Sequence, residues 1–170
     1  MGGGWPAICR APHVLTVEII LWRHAEAASG DPDSARPLTD EGRAQAALVA
    51  RWLTSRLPRD LRLIASPARR AQETARALGR SFETVEGLAP GSDVTTVLRI
   101  AGWPDAKEPV MVVGHQPTLG ELVSRLLDGR RAPAAMGTGS VWWLRGRERK
   151  GRSKATLLLA IEPEILAREN

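Results

Sequence analysis

Apolar residues recur along this chain in two rhythms. Short runs at residues 14–22, 61–65, 82–85, 110–113, 141–144 and 155–161 are rich in Val, Ile and Leu and are bounded by Gly, Pro or charged residues, which predicts strands. Between them the apolar positions fall three and four apart, which predicts helices. The first starts at Thr39 or Asp40, either of which can cap it, and runs to about Ser55 with Leu48, Val49, Trp52 and Leu53 on one face. The second runs from Pro67, suited to a first helical turn, to about Leu78. A third spans residues 94–101 and stops at Gly102-Trp103-Pro104; a fourth spans 119–127 and ends near Gly129. Strands alternating with helices predict a single three-layer α/β/α domain with a mostly parallel central sheet. Residues 1–13, rich in Gly and Pro, are expected to be a flexible N-terminal extension, leaving residues 14–170 as the domain.

Length and composition narrow the possibilities. A chain of 170 residues suffices for one real core, and 43% hydrophobic with 25% charged residues is ordinary for a soluble protein. No segment approaches the roughly 20 apolar residues that span a bilayer, and the N-terminus lacks the pattern of a secretion signal, so no membrane partner and a cytoplasmic location are expected. Cys9 is the only cysteine, which excludes an intrachain disulfide and a cysteine zinc site. With three histidines, of which His13 lies in the expected extension, a histidine-rich metal site is not expected either.

The net charge of +5 is local. Residues 145–154 hold six basic residues and one acid, while the remainder carries 18 of each sign. A solvated basic turn between two strands explains this better than a nucleic-acid surface, because no aromatic residues interleave with the charges.

Candidate chemistry sits where predicted strands end. Arg23-His24-Ala25-Glu26 directly follows the first strand. Ser66-Pro67-Ala68-Arg69-Arg70-Ala71-Gln72-Glu73-Thr74 follows the second. Val113-Gly114-His115-Gln116-Pro117 closes the strand at 110–113. Ligands bind α/β sheets at the carboxyl ends of the strands. An arginine fork matches phosphate oxygens, and a neutral imidazole can attack phosphorus. Three strands ending in Arg-His, Arg and His would converge on one pocket for a dianion. Other phosphate and hydrolase signatures, a GxxxxGK[ST] loop and a GxSxG elbow, are absent. His24-Ala25-Glu26 matches the HxE of zinc deaminases, but the PCxxC they require is missing.

In their residues and order these three segments resemble the histidine phosphatase superfamily, which has the phosphoglycerate mutase-like fold. Arg36-Pro37-Leu38-Thr39-Asp40-Glu41-Gly42 further resembles a segment of its short bacterial members, the SixA-type phosphohistidine phosphatases. The likeness runs from about residue 15 to 162. It implies a cofactor-free, metal-independent phosphatase in which His24 becomes a phosphohistidine, Arg23 and Arg70 hold phosphate oxygens, and His115 donates to the phosphate. Arg36 is implied as a further phosphate ligand. Arg70 is chosen over Arg69 because it directly precedes Ala71 and stands four residues before Thr74, as the motif requires. Larger members carry an acidic proton donor after the second motif, and here Glu86 and Asp93 are the candidates, Asp93 doubling as a helix cap. Members acting on sugar phosphates carry longer insertions over the pocket. This compact chain therefore points to phosphohistidine on a partner protein, such as a phosphotransfer domain. The alternatives are a broad phosphatase of small phosphorylated metabolites and a phosphate-binding module without turnover.

Overall fold

The computed structural model describes residues 17–129, 132–149 and 152–168. The expected extension at 1–13, with Cys9 and His13, and the first residues of the expected first strand lie outside them. Chain order is β1 (Glu18–Arg23), a 3-10 turn (Asp33–Ala35), α1 (Asp40–Thr54), β2 (Arg62–Ala65), α2 (Arg69–Arg76), β3 (Glu83–Thr84), a second 3-10 turn (Glu86–Leu88), α3 (Val94–Ala101), β4 (Val110–Gly114), α4 (Thr118–Leu127), β5 (Val141–Arg149), β6 (Arg152–Ile161) and α5 (Pro163–Ala167). None of these helices is long and apolar enough to cross a membrane.

One sheet of order β3-β2-β4-β1-β5-β6 forms the middle layer. The first four strands are mutually parallel; β5 runs antiparallel to β1, and β6 to β5. β4 is buried along its whole length, as a strand covered on both faces must be. Alternation along β1 feeds two cores. Ile20 and Trp22 face one that holds Ala46, Val49, Ala50 and Leu53 of α1, Ala71 and Ala75 of α2, and Leu166 of α5. Ile19 and Leu21 face the other, with Val94, Val97 and Ala101 of α3 and Leu119, Leu122 and Val123 of α4. The helix after β1 thus lies on one face and the helix after β4 on the other, although β1 and β4 are neighbours. Such a reversal opens a crevice beyond the carboxyl ends of the two strands.

Local signals set the element ends. Thr39 caps α1, its hydroxyl accepting from the Gly42 amide at 2.9 Å. Asp93 caps α3 through the Thr96 amide at 3.0 Å. Gly102, at φ 71°, takes the left-handed conformation that ends α3 and lets the Trp103 amide reach Leu98 O.

Three expectations are corrected. α2 begins at Arg69, not Pro67, because the Ser66 hydroxyl takes the Ala68 amide at 3.2 Å and holds Ala68 extended. The basic segment at 145–154 is mainly strand, not turn: β5 and β6 stay paired out to Arg149 and Arg152, past the start of β1 at Glu18. A short helix with proline in its first turn, α5, closes the chain where none was expected.

Candidate active site

The ends of β1, β4 and β2 lie side by side. The His24 amide donates to Gly114 O and the Ser66 amide to Val113 O, both at 3.0 Å, so Arg23-His24, His115 and Ser66 leave the sheet at one level. The segment 136–140 borders them. Arg23 N donates to Ser140 O and Gly139 N to His24 O, while the buried Trp22 indole reaches Gly139 O at 3.0 Å.

His24 and His115 face each other with ring centroids 5.2 Å apart. His24 Nδ1 lies 2.8 Å from Ala25 O, a pure acceptor, so Nδ1 carries the proton. Nε2 is then the nitrogen with the free lone pair, and Arg70 Nε donates to it from 3.3 Å. Burial pushes the His24 pKa down to about 4, assisted by the charges of Arg70, Arg23 and Arg36. His115 falls to about 3, chiefly by burial and then by the proximity of His24 and Arg70. Both rings are neutral at pH 7. His115 Nε2 pairs with Ser66 Oγ at 2.6 Å, and its Nδ1 is buried without a protein partner.

Arg70 is 5% exposed and reaches the site from the first turn of α2. The adjacent Arg69 instead points outward and pairs with Glu73 at 2.7 Å. Thr74, one turn later, accepts the Ala25 amide and donates to Arg70 O, tying the helix to the loop that follows His24. Arg23 donates from Nη1 to Met136 O at 2.6 Å, and its Nε is buried without a protein partner. Burial lowers its pKa, against a pull from nearby Glu162. Arg36 reaches the rim, with Nε on Ala28 O and Nη1 on Asp33. Glu26, exposed, accepts from the Thr39 hydroxyl.

The two acidic candidates stand apart from this cluster. Asp93 is spent on Thr96, which accounts for its lowered pKa, the reverse of what a general acid needs. Glu86 is exposed on the second 3-10 turn. No hydrogen bond or ion pair joins either to the histidines among the described residues.

Sequence reasoning missed three contributors. Ser66 and Thr74 were visible as fixed members of the second segment, though not as partners of His115 and Ala25. Asp33 accepts from Arg70 Nη2 at 2.9 Å, and its carboxyl is held ionised by bonds to Arg36 and Arg70. Its only sequence signal is a spacing of three before Arg36.

Comparison with known proteins identifies the family. The model of the histidine phosphatase superfamily (branch 1) matches residues 19–89. The chain is 32% identical over 126 residues to the phosphohistidine phosphatase SixA of Escherichia coli K12, an overlap covering 69% of this chain and 78% of that one. It is 33% identical over 137 residues to the SixA homolog of Haemophilus influenzae, covering 69% and 80%. The solved structure of the protein histidine phosphatase SixA complexed with tungstate matches at TM-score 0.74 and 28% identity, over 88% of this chain and 99% of that one. The chain therefore belongs to the histidine phosphatase superfamily. Within that class its kinship is with SixA, by sequence and by fold alike.

Proposed function

We propose that this phosphatase hydrolyses phosphohistidine carried on a partner protein, through a phosphohistidine of its own at His24 and without a metal ion. The observation that carries the reading is the state of His24: neutral, proton fixed on Nδ1, with the Nε2 lone pair beside Arg70 Nε in a crevice at the strand ends. In the first step Nε2 attacks phosphorus, and the bond from phosphorus to the substrate nitrogen breaks as that ring, protonated on its other nitrogen, leaves as neutral imidazole. In the second, water attacks phosphorus, the bond to Nε2 breaks, and the water protons leave with the phosphate. Arg23, Arg70 and His115 compensate the charge on the phosphoryl oxygens. Buried atoms of two of them, Arg23 Nε and His115 Nδ1, have no protein acceptor or donor. A phosphoramidate is labile, so its imidazole leaving group needs less help from a strong acid than an alkoxide does. That suits a site in which the carboxylate bonded to Arg70, Asp33, is held ionised.

The substrate class is supported by kinship with SixA and by the short segments around the crevice. Only residues 25–39 separate the nucleophile from α1, and 85–93 separate β3 from α3. A phosphorylated histidine on the surface of another protein could enter such a site.

Phosphate release is to be measured for the wild type and His24→Ala, with EDTA present, on a phosphohistidine-bearing protein and on p-nitrophenyl phosphate. The expected result is turnover that survives EDTA, falls at least ~10³-fold in the variant and favours the protein substrate in kcat/KM. Turnover that persists in His24→Ala or is lost to EDTA overturns the mechanism. A preference for p-nitrophenyl phosphate favours the small-metabolite reading. Binding of tungstate with no turnover favours the binding module.

A further inference from the structure

Arg70 makes three hydrogen bonds from its three nitrogens, and only one is aimed at the nucleophile. Nε faces His24 Nε2; Nη1 donates to Asp33 O at 2.7 Å and Nη2 to Asp33 Oδ2 at 2.9 Å. A guanidinium is a rigid plane, so fixing its two outer corners fixes the direction of Nε–H. The other carboxylate oxygen of Asp33 takes Arg36 Nη1 at 2.8 Å, and Arg36 Nε closes back on Ala28 O at 2.7 Å. The line Ala28–Arg36–Asp33–Arg70–His24 is thus continuous, running from the loop at the rim to the attacking nitrogen. It is built on one 3-10 turn, Asp33–Ala35, which places Asp33 and Arg36 three residues apart on one side.

We propose that Asp33 and Arg36 are positioning residues that act as a unit, holding Arg70 so that its Nε meets the phosphoryl group on His24, and that Arg36 acts through Asp33 rather than on phosphate itself. This rests on the reading of Arg70 as a phosphate ligand. Exposure separates the roles: the Arg70 side chain is 6% exposed, Arg36 29% and Asp33 56%, so a buried cation is steered from the solvent side. Exposed ion pairs contribute little to folding, so an Asp33–Arg36 pair kept for stability would be poorly placed. For orientation the same pair is well placed, because a misplacement of about 1 Å can cost ~10²-fold in rate.

The test is a double-mutant cycle on Asp33→Ala and Arg36→Ala, with Asp33→Asn as the conservative variant. It is read in kcat, KM, the inhibition or binding constant of tungstate, and Tm. The expected result is a ~10–100-fold fall in kcat for Asp33→Ala with Tm nearly unchanged, and partial recovery in Asp33→Asn, whose amide oxygen can still accept from Nη2. Arg36→Ala should cost activity in the wild type and nothing further in the Asp33→Ala background. A direct phosphate ligand would instead cost the same in both backgrounds, and that result overturns the proposal. So does an unchanged kcat in Asp33→Ala. A gain in kcat or tungstate affinity in that variant overturns it too, because Asp33 would then be a competitor of phosphate. Tungstate binding keeps the cycle readable if no substrate turns over, so failure of the phosphatase reading and failure of this one are distinguishable.

Discussion

Acid should unfold this protein through its two active-site histidines before its carboxylates respond. An unfolded histidine titrates near 6.5, whereas folding holds His24 at about 4 and His115 at about 3. Between those values the unfolded chain binds protons that the native one refuses, so stability is complete above pH 6.5 and is lost as the pH falls. At pH 5 the cost is ~2 kcal/mol for each ring, or ~4 kcal/mol for the pair, a large part of the roughly 5–15 kcal/mol that holds a domain together. Asp33, Glu73, Glu83 and Asp93 have lowered pKa values, so their losses set in only as the pH falls through the ordinary carboxylate range and run on below it. Glu162, raised by burial, works the other way and gains native protons first. From pH 6.5 to 5 the two histidines therefore dominate, with Glu162 offsetting part of their loss. Urea unfolding at pH 7, 6 and 5, at constant ionic strength and without phosphate, gives the slope. A free energy flat to within about 1 kcal/mol across that range would refute the reasoning. The same fall in a His24→Gln, His115→Gln double variant would refute it equally.

Three further outcomes are expected. Asp93→Ala should lower Tm by a few degrees through the lost cap of α3 and leave kcat/KM unchanged; a large loss of turnover would return Asp93 to the role of proton donor. Gly42→Ala should destabilise by roughly 1–3 kcal/mol in thermal or urea unfolding, because its Cβ would run into Glu26 O where α1 starts. Serine at Arg147, Arg149, Arg152 and Lys154 should leave the rate on a protein substrate and its salt dependence unchanged, since these positions of β5 and β6 lie about 20–26 Å along the ribbon from the site end of β5 at Val141. A fall in that rate would show that the basic hairpin guides the partner.

The strands that carry the site were legible because they are buried on both faces and so read as unbroken apolar runs, each ending in its chemistry. Helix limits were legible where a cap spoke for them, at Thr39, Asp93 and Gly102. Elsewhere tertiary context decided. Charge along 145–154 suggests a turn, yet the ribbon runs on past the start of β1 at Glu18, where strand pairing between β5 and β6 rather than alternation of apolar side chains sets the structure. Pro67 sits where a helix could begin, but the Ser66 hydroxyl claims the next amide. Asp33 occupies an exposed, proline-punctuated loop where periodicity carries no information. Its value comes from a buried arginine 37 residues away.

The reversal of helices between β1 and β4 bears on how such a site can diverge. Arg23, His24, Ser66 and His115 are anchored at the ends of the sheet strands, and 25–39 and 132–140 are tied to the site, the first through Asp33 and Arg36 on Arg70, the second through Met136 and Ser140 on Arg23. Among the described residues, segment 85–93 makes no hydrogen bond to any of these, so it can lengthen, shorten or change character without disturbing the cradle for phosphorus. Substrate range and reaction chemistry are thereby inherited on separate stretches of chain. New leaving groups become accessible through loop mutations that leave the transfer step intact.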